Sequence, residues 1–145
     1  MEKFYNAYEE SIHIPLIVSN PKLHVCGQEM HSLISVLDIV PTVADLLGVS
    51  GAFESCFYGT SLVEVLDNPG MCPNEMVHFT YNDIPSRNAP SIIPCVGTLR
   101  YKYAVYFTSD GDDADWELYD LQVDPDEDYN VAGQSRYGDM RNGEK

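Results

Sequence analysis

The feature that most constrains this chain is a short apolar run near its start, Ile14-Pro15-Leu16-Ile17-Val18, which Asn20 and Pro21 close. A β-branched run bounded by a breaker is typical of a strand buried on both faces. The apolar run is preceded by four residues that are spaced as one face of a short helix: Phe4, Ala7, Tyr8 and Ser11. A helix that leads into a buried strand is typical of an α/β fold. Because no strand precedes this one, we expect that its neighbours lie upstream of the sequence given.

The most regular helix is predicted over residues 38–48. Asp38 supplies a capping carboxylate, Pro41 falls in the first turn, and Gly48 ends the helix. Between them an apolar face repeats at helical spacing through Ile39, Val40, Val43, Leu46 and Leu47. We expect this face to pack on a sheet. Asp38 and Asp45 are then a cap and a solvated residue, and neither is a catalytic carboxylate.

Beyond Pro69-Gly70 the pattern changes from helical to alternating. Just before that point, Ser61 to Glu64 matches a capping box that opens a very short helix. Strands are predicted over 76–81 and 116–121, and residues 96–107 are predicted to form one long or two short strands. An irregular proline-containing loop is predicted over 83–95. These strands predict a small antiparallel sheet with local α+β character. The resulting division is an α/β segment at 1–70, a β subdomain at 71–133 and a frayed tail at 134–145.

Charge excludes two classes of partner. The 145 residues include 23 acidic and 8 basic side chains, a formal net charge of −15. Nucleic acid and anionic membrane surfaces both require Lys and Arg, so neither is expected as a partner. No apolar run approaches the roughly 20 residues that span a bilayer, and no segment has the pattern of a secretory leader.

No metal site is predicted from the residues. The four cysteines have no C-x-x-C spacing, so free thiols are favoured while disulfides remain open: Cys26, Cys56, Cys72 and Cys95. His24 and His31 are interpreted as solvated loop residues. The acidic turn at 110–117 fits no register of a helix-loop-helix calcium site, because Ala or Leu falls at a required position. It is interpreted as a solvated hairpin tip.

Four blocks of the sequence resemble the sulfatase family, of the alkaline phosphatase-like superfamily, in the family's order. The first is Lys3, five residues, Glu9-Glu10, and then His13 to Val18. The others are Ser35 to Gly48, then Gly59 to Leu66, and finally Tyr101-Lys102-Tyr103 leading to the segment from Glu117 to Asn130. The resemblance covers residues 3 to about 133 and concerns only the C-terminal portion of a sulfatase.

The resemblance implies a sulfuric ester hydrolase that, at full length, uses a formylglycine and a divalent cation, usually calcium. Lys3 matches the lysine that contacts the sulfate and the leaving oxygen, where a cation stabilises developing charge. His13 matches a position that is commonly basic, and Glu9 and Glu10 are interpreted as structural partners of nearby donors. Many family members are extracytoplasmic, but the residues themselves leave the compartment open.

The parts that perform the family's chemistry are not found in this chain. No Cys or Ser begins a complete C/S-x-P-x-R motif; Ser19-Asn20-Pro21 is followed by Lys22-Leu23, without the arginine. We therefore expect a sulfatase fragment that is inactive alone and whose partner is the N-terminal portion. Two alternatives remain open: a fragment of a phosphonate or phosphodiester hydrolase, and a non-enzymatic scaffold or binding module.

Overall fold

The computed structural model describes residues 6–20, 27–52, 54–82, 90–108 and 114–134. Three helices are described, α1 Glu9–Ile12, α2 Ile39–Leu46 and α3 Val63–Asp67, with 3₁₀ turns at Val36–Asp38, Ser50–Ala52 and Glu54–Cys56. Four strands follow: β1 Val77–Asn82, β2 Ile92–Gly97, β3 Tyr101–Phe107 and β4 Ala114–Asp120. None of the helices described could cross a membrane.

The chain forms two compact units. The first joins residues 1–14 to 78–145, and the second comprises residues 15–77. The sequence-based division at residue 70 differs from these units, because the opening helix is grouped with the sheet and the second unit extends to Val77. The frayed tail predicted over 134–145 lies almost entirely outside the described residues.

The sheet unit is built on strands in the order β1-β2-β3-β4, with β2–β3 and β3–β4 antiparallel. One face carries the main core, which consists of Ala7, Ile93, Cys95, Ala104 and Tyr106. A smaller cluster of Leu118 and Val131 lies in the same unit. The predicted small antiparallel sheet and its α+β character are therefore confirmed.

The predicted loop over 83–95 is wrong at its end, because β2 begins at Ile92 and includes Pro94. Ile93 and Cys95, on either side of the proline, are both buried, and Cys95 pairs with Ala104 of β3. Burial of these two side chains outweighs the missing proline N–H, which sequence rules treat as a reason against a strand. Residues 83–89 lie outside the described ranges.

In the second unit, α2 confirms the predicted helix but not its predicted packing. Its buried residues are Pro41, Thr42 and Ala44. The apolar stripe, which we define as Val36, Val40, Val43 and Leu47, points outward, with each side chain 49–71% exposed. The periodicity therefore predicted the position of the helix correctly. The face of α2 that packs inside the unit is not the apolar stripe but the face that carries the hydrogen-bonding Thr42.

The apolar run 14–18 forms no strand with the described residues. Ile14 is 65% exposed and Ile17 is 89% exposed, while Leu16 and Val18 are about half exposed at 46% and 45%. The prediction of a buried strand is therefore not realised within the described part of the chain. Its side chains face solvent on both sides.

Gly59 permits a close backbone approach inside the second unit. A Cβ at this position would lie 2.2 Å from the carbonyl oxygen of Leu37, well inside van der Waals contact. The clash involves backbone atoms, which cannot rotate away as a flexible side chain could.

We expect Gly59→Ala to lower the free energy of unfolding by about 1–3 kcal/mol, the usual cost of overpacking. Gly51→Ala is the matched control, because a Cβ there meets nothing within 4 Å. Urea unfolding of the two variants checks this. Equal midpoints for both would show that the approach of Gly59 to Leu37 is not tight.

A second prediction concerns Cys95, whose pKa burial raises to about 11 from an ordinary 9.0. The nearby Lys102 charge lowers this pKa and only partly offsets the effect of burial. At pH 8 the thiolate fraction of Cys95 is then about 100-fold below that of an ordinary thiol. Cys56 and Cys72 are exposed free thiols and provide internal references.

Iodoacetamide labelling at pH 8, read site by site by mass spectrometry, should therefore modify Cys95 at least about 100-fold more slowly than Cys56 or Cys72. Labelling of the three thiols at similar rates would contradict the burial of Cys95 in the sheet core.

Candidate functional site

A charged cluster lies inside the sheet unit, and we define it as Glu9, Lys102 and Glu127. The Lys102 side chain on β3 is 2% exposed and forms ion pairs with both carboxylates. Its Nζ lies 3.4 Å from Glu9 Oε1 and contacts Glu127 Oε1 directly. Burying an ammonium group is costly unless it is paired and hydrogen-bonded. The two carboxylates meet this requirement.

Glu127 is held in place by the turn that carries it. Its φ of 59° lies in the left-handed region, which is uncommon for a residue other than glycine. Asp124 organises the turn: its carbonyl accepts the Glu127 N–H, and its carboxylate accepts the N–H groups of Asp128 and Tyr129. The Glu127 side chain is only 2% exposed. The backbone strain is therefore tolerated where it places a carboxylate against Lys102.

The same cluster fixes α1. The Glu9 N–H donates to Glu127 Oε2 at 2.6 Å, so one carboxylate binds both Lys102 and the first residue of the helix. Glu9 in turn pairs with His13 one turn later, with His13 Nδ1 at 3.1 Å from Glu9 Oε2. The structure thus places Glu9 among nearby donors, as the sequence interpretation expected.

Two tyrosines add to this attachment of the opening segment. The Ala7 N–H donates to the Tyr106 hydroxyl oxygen at 3.0 Å, and the Tyr8 ring lies 6.1 Å from the ring of Tyr119. Burial raises the pKa of both Tyr106 and Tyr119 well above the usual range. A side-chain hydrogen bond adds to each increase, from Glu117 for Tyr106 and from Tyr8 for Tyr119.

The end of the fourth block is attached to β4 by Asn130. Its Oδ1 accepts the N–H groups of Leu118 and Ala132, and its Nδ2 donates to the Trp116 carbonyl at 2.8 Å. The backbone continues the contact, because the Val131 N–H donates to the Leu118 carbonyl. Asp124, Glu127 and Asn130 therefore each stabilise the chain after β4.

In the second unit Asp38 has the corresponding role. It is 2% exposed, and its carboxylate accepts hydrogen bonds from the N–H groups of Ser35 and Thr60 and from the Asn74 amide. Its carbonyl accepts the Thr42 hydroxyl at 2.5 Å, and that hydroxyl accepts the Leu62 N–H. Asp38 is therefore a buried cross-link between the second and third blocks. This is more than the cap predicted for it.

The capping box predicted at Ser61 to Glu64 does not form. The N-cap residue of α3 is Leu62, which has no side-chain cap hydrogen bond. Ser61 instead donates its hydroxyl to Asp45 Oδ2 at 2.7 Å, a partner 16 residues away. A capping box does form one block earlier, between Ser35 and Asp38. Ser61 therefore connects two segments of this unit instead of capping α3.

Of the two predicted catalytic residues, Lys3 and His13, the structure describes only His13. Lys3 lies outside the described residues, as do Arg87 and Asn88, which are the polar candidates in the 83–95 segment. The His13 side chain is 74% exposed beside Glu9. Among the residues described, no three His, Cys, Asp or Glu side chains form a group that could hold a metal ion. The described residues therefore do not fit the divalent cation that the family implies for the full-length enzyme, and no formylglycine motif is present in the sequence.

Sequence reasoning missed Lys102 and Glu127, although both lie within blocks that it had identified. The signal was present: a lysine alternates with apolar residues on a strand, and glutamates lie later in the same block and in the first block. A lysine on a buried strand face requires carboxylates.

The charged cluster leads to a prediction on stability. Lys102→Met leaves Glu127 buried without its cation, and we expect a loss of about 3–5 kcal/mol in the free energy of unfolding. The double variant Lys102→Met/Glu127→Gln removes both charges and should recover part of that loss. Asp126→Asn, an exposed carboxylate in the same turn, is the matched control.

Chemical denaturation of the four proteins provides the measurement. A Lys102→Met variant as stable as the Asp126→Asn control would show that the pairing of Lys102 contributes little to the sheet unit.

Comparisons with known proteins agree with the arrangement of the blocks. The profile of the family described as "N-sulphoglucosamine sulphohydrolase, C-terminal" matches residues 3–144. Arylsulfatase K of Xenopus laevis is 32% identical over 139 residues, which are 91% of this chain and 25% of that protein. The N-acetylglucosamine-6-O-sulfatase of Bacteroides thetaiotaomicron is 31% identical over 133 residues, 90% of this chain and 23% of that protein.

Solved structures show the same relationship. A protein in complex with its substrate D-glucosamine-2-N,6-O-disulfate matches with a TM-score of 0.61 at 28% identity, over 73% of this chain and 21% of that one. The Bacteroides fragilis protein yidJ matches with a TM-score of 0.67 over 85% of this chain and 25% of that one. At 21% identity this second match shows the fold alone.

The chain thus spans about a quarter of the length of the curated relatives it matches. The family match covers residues 3–144, nearly the whole chain. The phosphonate hydrolase alternative is not favoured. The chain belongs to the sulfatase family, as a member of the N-sulphoglucosamine sulphohydrolase C-terminal group.

Proposed function

We propose that this chain serves as the C-terminal part of a sulfuric ester hydrolase and is inactive alone. The observation that carries the proposal is the family match over residues 3–144, which includes Lys3. The rest of the catalytic apparatus, the nucleophile and the metal ligands, belongs to the N-terminal portion of such an enzyme, which is the partner this chain requires.

Lys3 is the residue of this chain that we propose to act on the substrate. Its ammonium group contacts the sulfate and the leaving oxygen and stabilises the negative charge that develops as the S–O bond breaks. We propose His13, in the same first block, as a second basic group of the site. Both proposals rest on the match of the first block to the family pattern.

The charged cluster supports a positioning role for the start of the chain. Ala7 and Glu9 are hydrogen-bonded to Tyr106 and Glu127 of the sheet unit. Lys3 precedes Ala7 by four residues, so covalent geometry limits the separation of their Cα atoms to roughly 14 Å. A firmly held Ala7 restricts the volume that Lys3 can reach and so reduces the entropy lost when it meets a substrate.

We propose a sulfate ester as the substrate class. One relative is named for N-acetylglucosamine-6-O-sulfate, and one solved neighbour holds a glucosamine disulfate. A non-enzymatic scaffold would keep the same two units without any contribution from Lys3, so the effect of replacing Lys3 discriminates between the two roles.

The test is a chimera in which residues 3–144 replace the matched region of the Bacteroides thetaiotaomicron N-acetylglucosamine-6-O-sulfatase. We expect the chimera to hydrolyse N-acetylglucosamine-6-sulfate, and the isolated chain to show no turnover of this substrate or of 4-nitrophenyl sulfate. Lys3→Ala in the chimera should lower kcat by about 10²–10³-fold, the usual cost of removing one group that stabilises developing charge.

Lys22→Ala is the charge-matched control and should leave kcat within about twofold, since its charge has no assigned contact with the reacting oxygen. Lys3→Arg should recover part of the activity because it restores the positive charge. Equal activity of Lys3→Ala and Lys22→Ala would refute the role of Lys3. Turnover by the isolated, metal-supplemented chain would refute the need for a partner.

A further inference from the structure

The backbone of the opening segment is held at two points by side chains of the sheet unit. The Ala7 N–H donates to the Tyr106 hydroxyl at 3.0 Å, and the Glu9 N–H donates to Glu127 Oε2 at 2.6 Å. The two acceptors are 99 and 118 residues away from their donors in the sequence. All four residues lie within one compact unit. We define Ala7, Glu9, Tyr106 and Glu127 as the clamp.

The helix α1 does not hold this segment in place by itself. It has four residues, and its N-cap residue Tyr8 makes no side-chain cap hydrogen bond. A helix of about one turn is not stable alone in water, and its first N–H groups have no acceptor within the helix. Glu127 supplies such an acceptor at Glu9, and Ala7 is 1% exposed in the main core of the sheet. The sheet unit therefore sets the position of the opening segment.

The Tyr106 hydroxyl is oriented for its contact with Ala7 by Glu117. A side-chain hydrogen bond joins Tyr106 to Glu117. Because a carboxylate accepts and a hydroxyl has one proton, that proton is directed at Glu117 and an oxygen lone pair remains for the Ala7 N–H. Tyr106 and Ala7 are both buried in the same core cluster. A phenylalanine at position 106 would fill the same space and lose only the hydrogen-bonded bridge.

Glu127 has a contact beyond those that the charge of Lys102 requires. Its left-handed backbone is one that glycine adopts more readily, so the strain is consistent with a position that needs the side chain. One carboxylate oxygen contacts Lys102, which Glu9 also pairs. The other oxygen accepts the Glu9 N–H. This second contact extends the role of Glu127 from charge compensation to the placement of α1.

The clamp lies close in the sequence to Lys3, the residue proposed to act on the substrate. Lys3 precedes Ala7 by four residues and Glu9 by six. A misplacement of about 1 Å in a group that acts in the transition state can cost about 100-fold in rate. Because charge develops on the leaving oxygen only as the bond breaks, such a misplacement lowers kcat more than it weakens substrate binding.

We propose that Tyr106 and Glu127 are positioning residues for the hydrolysis of the sulfate ester. They hold the backbone at Ala7 and Glu9 and act on the reaction through Lys3, without contacting the substrate. This inference rests on the proposed function and adds to it two residues that lie about 100 positions or more from Lys3 in the sequence.

Hydrogen exchange of the 145-residue chain, read residue by residue by NMR, tests the clamp. Tyr106→Phe should accelerate exchange of the Ala7 amide at least about tenfold and leave the Ala104 amide, in the middle of β3, unchanged. Tyr129→Phe is the matched control, because Tyr129 is exposed and lies in the same unit. An Ala7 amide that exchanges equally fast in both variants would overturn the proposal.

Kinetics of the chimera described above test the effect on the reaction. Tyr106→Phe should lower kcat about tenfold and change KM by no more than about twofold, whereas Tyr129→Phe should leave both within about twofold. Combined with Lys3→Ala, the Tyr106→Phe substitution should cost no more than about a further twofold in kcat, since the group that it positions is gone. An equal loss of kcat with and without Lys3 would identify a general structural effect and overturn the proposal.

Glu127 is tested together with its cation. Lys102→Met/Glu127→Leu replaces the buried pair by apolar side chains, so we expect the variant to fold, while the Glu9 N–H loses its acceptor. Exchange of the Glu9 amide should accelerate at least about tenfold, and kcat should fall about tenfold only while Lys3 is present. Asp126→Asn, in the same turn, is the matched control. If the double variant does not unfold cooperatively, Tyr106→Phe decides the proposal by itself.

The outcomes separate this inference from the proposed function. A chimera without turnover would refute the proposed function and the positioning role with it. An active chimera in which Tyr106→Phe has the same kcat as Tyr129→Phe would refute the positioning role and leave the proposed function intact.

Discussion

The sheet unit depends on one buried positive charge. Lys102 lies on a core-facing strand position, and an unpaired ammonium group there would cost several kcal/mol. The fold avoids that cost only by bringing Glu127 and Glu9 to the same point, from the turn after β4 and from the opening helix. The left-handed backbone at Glu127 and the attachment of α1 to the sheet are consequences of this pairing. The charged cluster therefore joins the two ends of the described chain.

The second unit also contains a buried charged group that is hydrogen-bonded, but here the charge is negative. Asp38 is buried and its carboxylate accepts donors from Ser35, Thr60 and Asn74, so three separate segments meet at one residue. The interior of this unit combines these polar contacts with buried Ala44, Leu62 and Val65, while the apolar stripe faces solvent.

Several features of the fold were predicted correctly from local sequence rules. Where those rules failed, the failure has a physical cause. The helix at 39–46 and the strands at 77–82 and 101–107 were found from periodicity, because local spacing reflects which side chains share a face. Pro94 concealed the start of β2, since the rule against proline in strands takes no account of burial of the flanking side chains. On β3 the alternation of Tyr101 and Tyr103 drew attention to one face, whereas Lys102, Ala104 and Tyr106 form the more buried one. A lysine stem and a tyrosine ring both bury apolar area, which a simple polar-versus-apolar pattern overlooks. Of the two site residues predicted, His13 is exposed beside Glu9, and Lys3 lies outside the described ranges.

The sequence by itself determined the family, the order of the four blocks and the positions of the main helix and strands, because these depend on residue identity and local spacing. Only the tertiary structure decided which carboxylates meet Lys102 and which face of α2 is buried. The partners of this cluster are separated by 93 residues between Lys102 and Glu9, and by 118 between Glu9 and Glu127. No local rule relates positions so far apart. Their meeting depends on how the strands close into a sheet and on the requirement that a buried charge finds its counter-charge there.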